Sequence, residues 1–443
     1  MDGQRGYGEH PPARAMDDHA SLRAWLNSTK KRGMALGLAN THRAVLALEV
    51  MPDQCEVVHV AGSNGKGTFA ATLSAAMTLE GVRHVLFTSP HLVHVEERIR
   101  VNGVPVETDT FDRALGRIKE MSERLAIPLT FFEVTFLAAL VIAQTLEVEA
   151  MVVETGLGGR LDATRAVKAD LCVVTALSLE HTDVLGTTLP AIAREKAAIA
   201  RPNQPILVRR PEASEVREAV ASEVAAAGQS ALGESKQPAH LEWVDVEATA
   251  TAADEAMTLA RAAWPRLTTI ADRAFPVFQG VQWPARMQKI ASPNRPETTY
   301  LLDGAHNPSG MLKSCRELMT RAEVNGGPWA LLIGSTPQVD MEAMLEPLAE
   351  LCSIRPPDMV VLTVPQGGRY PGVEGQVMKA HLENAGIAVD HVIDLPFDAV
   401  QALETSPRPL EAVVSIGSLY LQGNVMEALG ADDQASLSIR AKV

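Results

Sequence analysis

The sequence predicts an α/β protein with a larger N-terminal domain, built on a parallel, doubly wound sheet, and a smaller α/β domain behind it. Two observations carry this prediction. Short apolar strands alternate with helix-forming stretches along most of the chain, which is the order typical of a parallel sheet flanked by helices. The 443 residues also exceed what one ordinary core requires, so two domains are expected.

The first domain is expected over residues 18–290, after a flexible tail at 1–17 that is rich in Gly, Pro and charge. Two helical stretches, "SLRAWLNSTK" and "THRAVLALEV", precede the strand "EVVHVAG", which leads into a glycine-rich loop and a helix over 67–79. Three further apolar strands are "RHVLFTS", "EAMVVET" and "DLCVVTALS". Helical stretches separate or follow them, including "FEVTFLAALVIAQTL" and the Ala-rich segments around 219–232 and 247–263.

A domain boundary is expected where Pro, Gly and Arg become frequent, in "PVFQGVQWPARMQKIASPNRPE". Beyond it, residues 296–443 contain four apolar strands interleaved with helical stretches: "TTYLLDG", "WALLIGS", "DMVVLTVP" and "EAVVSIGS". This pattern predicts the smaller, Rossmann-like domain.

The composition is that of a globular protein, with 46% hydrophobic and 21% charged residues. A formal charge of −14 argues against binding nucleic acid through a broad basic surface. The sequence has no apolar run of about 20 residues and no signal-peptide pattern, so a cytoplasmic protein without membrane contact is expected. The cysteines lie far apart without a CxxC pair, which favours reduced core thiols over a disulfide or zinc framework. They are Cys55, Cys172, Cys315 and Cys352.

The stretch "HVAGSNGKGT", residues 59–68, lies between a strand and a helix, where a phosphate-binding loop would lie. Glycines let backbone N–H groups approach phosphate oxygens, the helix N-terminus adds partial positive charge, and Lys66 can reach the terminal phosphates. Thr68 could contact a metal-bound phosphate, although Gly67 separates it from the lysine, unlike in a standard P-loop. An ordinary turn before a helix is the alternative, and the order of strand, loop and helix favours phosphate binding.

Two side chains after neighbouring strands are candidate metal ligands. Glu154 ends the strand in "MVVETGLGGRLDAT". Because the carboxyl ends of parallel strands form the ligand crevice, its carboxylate could hold Mg²⁺ beside phosphates. A capping or salt-bridged glutamate is the alternative. The strand in "DLCVVTALSLEHTD" is expected to end at His181, which could be a second metal ligand or a hydrogen-bonded loop histidine.

Later segments could complete a nucleotide site. Lys196 lies in "IAREKAAIA". The simplest interpretation of its consecutive charged residues is a solvent-exposed face of a helix. "LLDGAHNP" ends a strand with Asp303, His306 and Asn307, and "WPAR" supplies Arg286. Asp303 could orient a ribose or a lysine and Arg286 could meet a phosphate, or each could be a turn or surface residue. Together they predict a nucleoside triphosphate site formed by two domains, and no Ser/His/Asp pattern indicates nucleophilic catalysis.

Eight motifs then occur in one order: "HVAGSNGKGT", "TSPHLVHVEERIRVNG", "TFFEVTFLAAL", "VETGLGGRLDAT", "EHTDVLGTTLPAIAREKAAI", "WPAR", "LLDGAHNP" and "GSLYLQG". In this order they resemble the folylpolyglutamate synthase/dihydrofolate synthase family of the Mur ligase superfamily, over roughly residues 20–425. A chain of motifs is far more specific than any one of them. The family's loop reads G-x-N-G-K-G-[ST], so Gly67 belongs to it. The resemblance implies a Mur-ligase-like fold with an N-terminal P-loop-type ATPase domain.

The resemblance implies an ATP-dependent ligase that joins an amino acid, usually glutamate, to a carboxylate. ATP phosphorylates the acceptor carboxylate, and the amine then attacks the acyl phosphate. Metal ions, a lysine and backbone donors would stabilise the transferring phosphoryl group. The expected substrates are dihydropteroate or a folate, together with L-glutamate, in a monomeric enzyme. ATP would be held by Ser63, Asn64, Gly65, Lys66, Gly67 and Thr68.

The resemblance also implies two Mg²⁺ ions. Ser89 and Glu154 would bind the first and His181 the second. Lys196 matches the family's carbamylated lysine, in which the ammonium becomes a carboxylate-like group near the metal. Lys66, Lys196 and His181 would take the catalytic roles.

Closure of the second domain would bring Asp303 and His306, with Arg286 at the hinge, onto the nucleotide and exclude water. The segments that match the family's contacts to the pterin-bearing acceptor are Thr130, Phe131, Phe132 and Glu133, and Leu161, Asp162 and Ala163.

The sequence departs from the family at flanking positions. Glu180 replaces an Asp, Arg165 replaces the Asn after "DAT", and "WPAR", "EKAAI" and "GSTPQVD" replace "WPGR", "EKAGI" and a motif with "DKD". The Asn expected near 250–262, which holds the nucleotide in relatives, is missing. Two alternatives stay open: a ligase for a non-folate acid, to which Arg165 could offer a positive charge, and a nucleotide-binding regulator without catalysis. The retained lysines and metal ligands speak against the regulator.

Overall fold

The computed structural model of the protein describes residues 18–33, 37–50, 55–227, 237–270, 272–368 and 370–443. The predicted tail at 1–17 lies outside these ranges. The predicted two-part α/β architecture is confirmed: an eight-stranded sheet precedes a six-stranded sheet, and a two-stranded ribbon joins the C-terminus to the junction between them.

The larger part begins with two helices and then alternates strands and helices. Its strands are β1 (Glu56–Ala61), β2 (His84–Phe87), β3 (Ile99–Val101), β4 (Val104–Pro105), β5 (Ala150–Glu154), β6 (Leu171–Val174), β7 (Pro205–Arg209) and β8 (His240–Val244). Its helices are α1 (His19–Ser28), α2 (Ala39–Leu48), α3 (Lys66–Leu79), α4 (Thr108–Arg124), α5 (Phe131–Thr145), α6 (Thr182–Leu185), α7 (Leu189–Ala197), α8 (Ser214–Ala226) and α9 (Ala252–Ala263).

The strand order of the larger sheet is β4-β3-β2-β5-β1-β6-β7-β8. Within this order, neighbouring strands pair in parallel along β2-β5-β1-β6-β7-β8. The strands β3 and β4 add an antiparallel edge next to β2. Alternate residues of the central strand enter different cores: Val57 joins the cluster that contains α5, and Val58 joins the cluster that contains α3 and α9. Helices therefore cover both faces, which explains why the strands read as continuous apolar runs.

The smaller part has the strand order β10-β11-β15-β12-β13-β14, in which only β10 is antiparallel to its neighbour. The remaining strands of the chain are β9 (Gly280–Gln282), β10 (Gln288–Ala291), β11 (Thr299–Leu302), β12 (Trp329–Ile333), β13 (Met359–Leu362), β14 (His391–Val392), β15 (Ala412–Ile416) and β16 (Arg440–Lys442). The helices are α10 (Pro308–Leu318), α11 (Ala322–Asn325), α12 (Met341–Ile354), α13 (Gly375–Asn384), α14 (Pro396–Glu404), α15 (Leu419–Ala428) and α16 (Gln434–Leu437).

The two parts contact each other through several elements. The C-terminal strand β16 pairs with β9 at the junction, and Ile439 N donates to Gly103 O at 2.8 Å. Leu92 and Val93, from the larger part, pack against the apolar cluster of the smaller part. A Cβ on Gly423 of α15 would overlap the carbonyl of Leu92, so this contact requires glycine. The segment that follows β2 is thus held between the two parts.

All four cysteines are free and buried, as the sequence predicts. Within the described ranges, no helix is long and apolar enough to cross a membrane. One local prediction is wrong: β6 ends at Val174 rather than at His181. The chain turns there because the following segment bonds to the glycine loop, where Ser63 N donates to Ala176 O at 2.8 Å.

Candidate nucleotide and metal site

The glycine-rich loop joins β1 to α3 at the carboxyl edge of the larger sheet, where parallel α/β proteins bind ligands. Ser63 Oγ donates to Ser178 O at 3.0 Å and accepts from Ser178 N at 3.0 Å. Thr175 Oγ1 donates to Asn64 O at 2.7 Å. Gly62 has a φ of +147°, and a Cβ there would overlap Thr175 Oγ1. The loop is therefore held in shape by the segment after β6.

Gly67, the residue that separates this loop from a standard P-loop, lies in the first turn of α3. A Cβ on Gly67 would lie 3.4 Å from Trp283 Cζ2 and 3.7 Å from Glu154 Oε2. The guanidinium of Arg100 lies over the Trp283 ring, with its Cζ 4.7 Å from the ring centroid. The indole and a buried carboxylate thus both lie at the start of the helix, at distances that an added methyl group would meet in ordinary van der Waals contact.

Two lysines meet at one carbonyl oxygen of the loop. Lys66 Nζ donates to Gly62 O at 2.8 Å and Lys196 Nζ donates to the same oxygen at 2.9 Å. Lys196 also donates to Glu180 Oε1 at 2.6 Å. The side chain of Lys196 is 2% exposed, so the solvated charge-run interpretation does not hold for it.

Burial lowers the pKa of Lys196 to about 8; Glu180 opposes this shift and the ammonium of Lys66 adds to it. Burial alone would raise the pKa of Glu180, but the two lysines together hold it below its usual range. Glu180, which departs from the family pattern, is therefore the counter-ion of the buried lysine.

Glu154 ends β5 and is 5% exposed. Its Oε2 accepts one hydrogen bond from Ser89 N at 3.2 Å. Burial raises its pKa, and Lys66, the Ser89 amide, Arg286 and Arg98 oppose the rise. No cationic side chain of the described residues forms an ion pair with it within 4.0 Å. A buried carboxylate with so few partners fits a bound cation.

The other predicted metal ligands lie on the same side of the sheet. Ser89 is joined to Glu154 through its backbone amide, and His181 is the exposed residue that precedes α6. His181 has a φ of +46°, a left-handed conformation. In the part of the chain that the structure describes, no three His, Cys, Asp or Glu side chains are grouped to hold a metal by themselves. A metal ion here would draw ligands from other groups, such as the Ser89 hydroxyl and phosphate oxygens.

The smaller part contributes a second edge to the site. Asp303 follows β11 and accepts from Ala305 N at 3.0 Å, Ser314 Oγ at 2.7 Å and Met287 N at 3.1 Å. This carboxylate therefore fixes the hinge segment against α10. His306 Nδ1 lies 2.7 Å from Gly304 O, which makes Nδ1 the protonated nitrogen and leaves Nε2 as an acceptor.

Arg286, at the hinge, donates from Nη1 to Ala285 O at 3.0 Å. Burial lowers its pKa, and the carboxylates of Asp303 and Glu154 oppose that shift. The guanidinium thus lies in the electrostatic field of both parts of the site.

Asn64 connects the loop to the N-terminus of α10 through its side chain. Its Nδ2 donates to Ser309 Oγ at 2.5 Å and to Ser178 Oγ at 3.1 Å. Its Oδ1 accepts from Asn307 Nδ2 at 3.0 Å, and Asn307 Oδ1 caps α10 through Gly310 N at 2.8 Å. The sequence pointed to Asn64 and Asn307 but not to Ser178 or Ser309, because no local pattern joins residues 114 or 245 positions apart.

The predicted acceptor segment at the start of α5 divides into capping and open side chains. Thr130 and Glu133 form a capping box, with Thr130 N donating to Glu133 Oε2 at 2.8 Å. Thr41 Oγ1 donates to the other carboxylate oxygen at 2.8 Å. Phe132 packs edge-to-face on Phe87 with centroids 5.6 Å apart. Contact with a ligand would therefore fall to the two phenylalanines rather than to the capping pair.

In the second predicted acceptor segment, Asp162 accepts from Gly156 N at 2.9 Å and from Leu157 N at 2.8 Å, which fixes the glycine turn after β5. Ala163 is buried, whereas Leu161 is 43% exposed. Arg165 directs its Nε to Ala198 O at 2.8 Å, so in this structure it caps the end of α7.

The helix without the expected Asn is α9. There Glu255 is buried and pairs with Arg209 at 2.8 Å and with Lys313 of α10 at 2.6 Å. An ion pair between the two parts of the chain thus lies on this helix.

No protein-family model matches the chain. It is 38% identical over 193 residues to the dihydrofolate synthase/folylpolyglutamate synthase of Escherichia coli, an alignment that covers 44% of this chain and 45% of that relative. The structure of Escherichia coli FolC in complex with DHPP and ADP superposes with a TM-score of 0.74 at 26% identity, covering 94% of this chain and 99% of that one. A bifunctional folylpolyglutamate synthase/dihydrofolate synthase with Mn, AMPPNP and L-glutamate bound gives 0.72 at 25% identity, covering 94% and 100%.

Proposed function

The chain belongs to the dihydrofolate synthase/folylpolyglutamate synthase family, and from this premise we propose that it is an ATP- and Mg²⁺-dependent amide ligase. It activates a carboxylate as an acyl phosphate and joins it to L-glutamate. The acceptor we propose is dihydropteroate or a folate. The observation that carries the proposal is the pair of lysines on the Gly62 carbonyl beside the buried carboxylate of Glu154.

The loop residues 63–68 are proposed to bind the ATP phosphates through backbone N–H groups and the start of α3. Lys66 has only carbonyl oxygens as hydrogen-bond partners among the described residues, so its ammonium can turn to a terminal phosphate without breaking an ion pair. Ser89 and Glu154 would hold one Mg²⁺ and His181 a second. A bound metal supplies charge stabilisation for the transferring phosphoryl group.

Lys196 is proposed to be carbamylated: its neutral amine adds to CO₂, forming an N–C bond and releasing one proton. The lowered pKa of Lys196, to about 8, increases the fraction of neutral amine near neutral pH. The product is an anion, so it would leave Glu180 and attract a cation instead.

We further propose that Arg286, Asp303 and His306 contact the nucleotide, with Asp303 also positioning the hinge. The acceptor would contact Phe131 and Phe132, together with Leu161, while Thr130, Glu133, Asp162 and Ala163 shape its pocket. A monomeric state and a cytoplasmic location belong to the same proposal. The domain limits 18–290 and 296–443 stay predictions, and the limit at 290 falls within β10, which pairs with β11 of the smaller sheet.

The test is an acceptor screen with purified protein, ATP, Mg²⁺, L-glutamate and either dihydropteroate or tetrahydrofolate. The expected result is ADP release and a product heavier by one glutamyl unit in the mass spectrum. If neither acceptor gains that mass, the folate assignment is wrong, and a panel of other acids tests the related ligase. ATP binding without ADP formation with any acid would favour the regulator.

Two substitutions and a control accompany the screen. Lys66→Ala and Lys196→Ala should abolish turnover while the circular dichroism spectrum stays native. Lys379→Ala removes a lysine from the surface of α13 and should leave turnover unchanged. Its side chain is 34% exposed, and its ion-pair partner among the described residues is Glu383. Near-normal activity of Lys196→Ala would refute the carbamate role.

A further inference from the structure

Trp283 directly follows β9 at the junction between the two parts of the chain. Its neighbour Gln282 pairs with Arg440 of the C-terminal strand β16, and Trp283 O accepts a hydrogen bond from Arg286 N at 3.2 Å. The side chain is half-buried and packs against the apolar cluster that contains α3 and α9. The backbone on both sides of the tryptophan is therefore held in place.

Arg100 fixes the indole from one face. Its Cζ lies 4.7 Å from the centroid of the Trp283 ring, and its side chain is 2% exposed. Its Nε and Nη2 donate to Leu437 O at 3.3 and 3.0 Å, and its Nη1 donates to Glu97 O and to Thr88 Oγ1. Every nitrogen of the guanidinium thus binds the protein, so the arginine holds its place over the ring.

The edge of the indole that carries the N–H group borders the start of α3. The position that a Cβ on Gly67 would take lies 3.5 Å from Trp283 Nε1 and 3.7 Å from Glu154 Oε2. The N–H group and the buried carboxylate thus flank one space. The helix begins at Lys66 and no side chain caps it, so backbone N–H groups of its first turn are open at the same end.

The indole N–H group of Trp283 has no hydrogen-bond partner in the part of the chain that the structure describes, and Nε1 is not among the fully enclosed unpaired atoms. Trp264 differs, because its Nε1 donates to Arg273 O at 2.8 Å. Buried tryptophans usually pair their N–H group in this way. Trp283 therefore presents a fixed donor to accessible space beside the glycine loop.

We propose that Trp283 donates its indole N–H group to a phosphate oxygen of bound ATP, one that also binds the Mg²⁺ held by Glu154. An N–H donor fits an anionic oxygen and cannot bind the cation itself. Protein-bound Mg²⁺ is typically held by one or two carboxylates together with phosphate oxygens. A phosphate on the metal beside Glu154 would thus meet the indole edge. The inference rests on the proposed function, because it requires ATP at the glycine loop.

The donor is neutral, which separates its role from that of the charged side chains in the site. Lys66 and Arg286 attract a phosphate over several ångströms, whereas a hydrogen bond acts only in contact and along one direction. A single indole N–H group on a fixed ring therefore favours one orientation of the phosphate group. It also keeps its proton at every pH at which the protein is folded, so its contribution should not change with pH.

The experiment compares Trp283→Phe with the matched control Trp243→Phe. Phenylalanine keeps an aromatic ring and removes the N–H group. Trp243 is also half-buried and has an arginine over its ring, with Arg210 Cζ 5.9 Å from the centroid, but it lies on the edge strand β8. Calorimetry gives the Kd of AMPPNP in the presence of Mg²⁺. The Kd should rise roughly 10- to 100-fold in Trp283→Phe, the loss expected for a hydrogen bond to a charged group. In Trp243→Phe it should stay within about twofold of the wild type.

Nitrogen-15 NMR of the tryptophan side chains observes the N–H group directly. The chain has five tryptophans, and the indole signal that is missing in Trp283→Phe is that of Trp283. In the wild type, Mg²⁺ with AMPPNP should move the proton of this signal downfield, as expected of an N–H group that gains an anionic acceptor. Adenosine, which has no phosphate, should leave it in place, and the Trp243 signal should not move with either ligand.

A Trp283 signal that stays in place with Mg²⁺ and AMPPNP, or moves equally with adenosine, would overturn the inference. An unchanged Kd in a folded Trp283→Phe would do the same, and in both cases wild-type turnover shows that the proposed ligase stands. Each variant must have a native circular dichroism spectrum, and Trp283→Leu takes the place of a phenylalanine variant that does not fold. If the wild type binds AMPPNP but turns over no acid, the ligase proposal fails and the NMR titration still decides on Trp283. If it binds no AMPPNP, both fail.

Discussion

Gly62→Ala should destabilise the fold and Gly67→Ala should not, although the two glycines belong to one motif. Gly62 has a φ of +147°, which is strained for alanine, and its Cβ would overlap Thr175 Oγ1. Thr175 would have to move and lose its 2.7 Å hydrogen bond to Asn64 O. Backbone strain of about 1–3 kcal/mol and a lost hydrogen bond of about 1 kcal/mol together predict a destabilisation of about 2–4 kcal/mol.

Gly67 lies inside α3, and a Cβ there meets its neighbours no closer than 3.4 Å. Because alanine is the better helix former, Gly67→Ala should leave stability unchanged or raise it by up to about 1 kcal/mol. The new methyl would lie 3.7 Å from Glu154 Oε2, in the space that the proposed Mg²⁺ shares. The Mg²⁺ concentration for half-maximal activity should therefore rise.

The assay is urea unfolding followed by tryptophan fluorescence and circular dichroism, with Mg²⁺ titrations of ADP release on the same samples. The midpoint for Gly62→Ala should fall well below that of the wild type, and the midpoint for Gly67→Ala should not. Equal midpoints for Gly62→Ala and the wild type would refute the steric argument. A Gly67→Ala enzyme with unchanged Mg²⁺ dependence would refute the placement of the metal beside this glycine.

Three further predictions concern buried and bridging side chains. The pKa of Lys196 in the folded protein, about 8, lies below its usual 10.5, so the unfolded chain binds more protons between these two pH values. The free energy of unfolding should therefore rise by about 3 kcal/mol from pH 8 to pH 10.5, relative to that of Lys196→Met. Urea titrations at several pH values measure this rise. Lys313→Met leaves Glu255 to Arg209 alone and should cost about 1–2 kcal/mol and raise the KM for ATP, since the lost bridge joins the two parts. Asn307→Ala removes the cap of α10 and a bond to the loop, so it should cost about 1 kcal/mol and lower kcat, whereas Asn307→Ser should recover the stability but not the rate.

The sequence predicted the fold well because its signals are local. Apolar runs separated by helical segments recur at each strand, and parallel strands bury both faces. The position of Glu154 at the end of β5 follows from that pattern alone. The end of β6 does not, because "VVTALS" stays apolar past Val174 although the chain there already bonds to the glycine loop. The tertiary contact overrides the local pattern.

Side-chain partners across the site could not be predicted for the same reason. Nothing near Asn64 in the sequence indicates Ser309, and nothing near Glu255 indicates Lys313. Spacing within a segment predicts which edge of the sheet a residue occupies, but not which distant residue faces it.

The contacts made by residues that differ from the family pattern bear on the choice between a ligase and a nucleotide-binding regulator. Glu180, which replaces the family's Asp directly before His181, forms an ion pair with Lys196 at 2.6 Å. A lysine that is 2% exposed and has its pKa lowered to about 8 destabilises the fold relative to an apolar residue of similar volume. A protein that only binds nucleotide gains nothing from that cost, because Lys66 already offers an ammonium to the phosphates. A second buried amine on the same carbonyl oxygen is useful where its neutral form reacts or where its charge changes during turnover. The geometry of the two lysines therefore favours catalysis over a binding-only role.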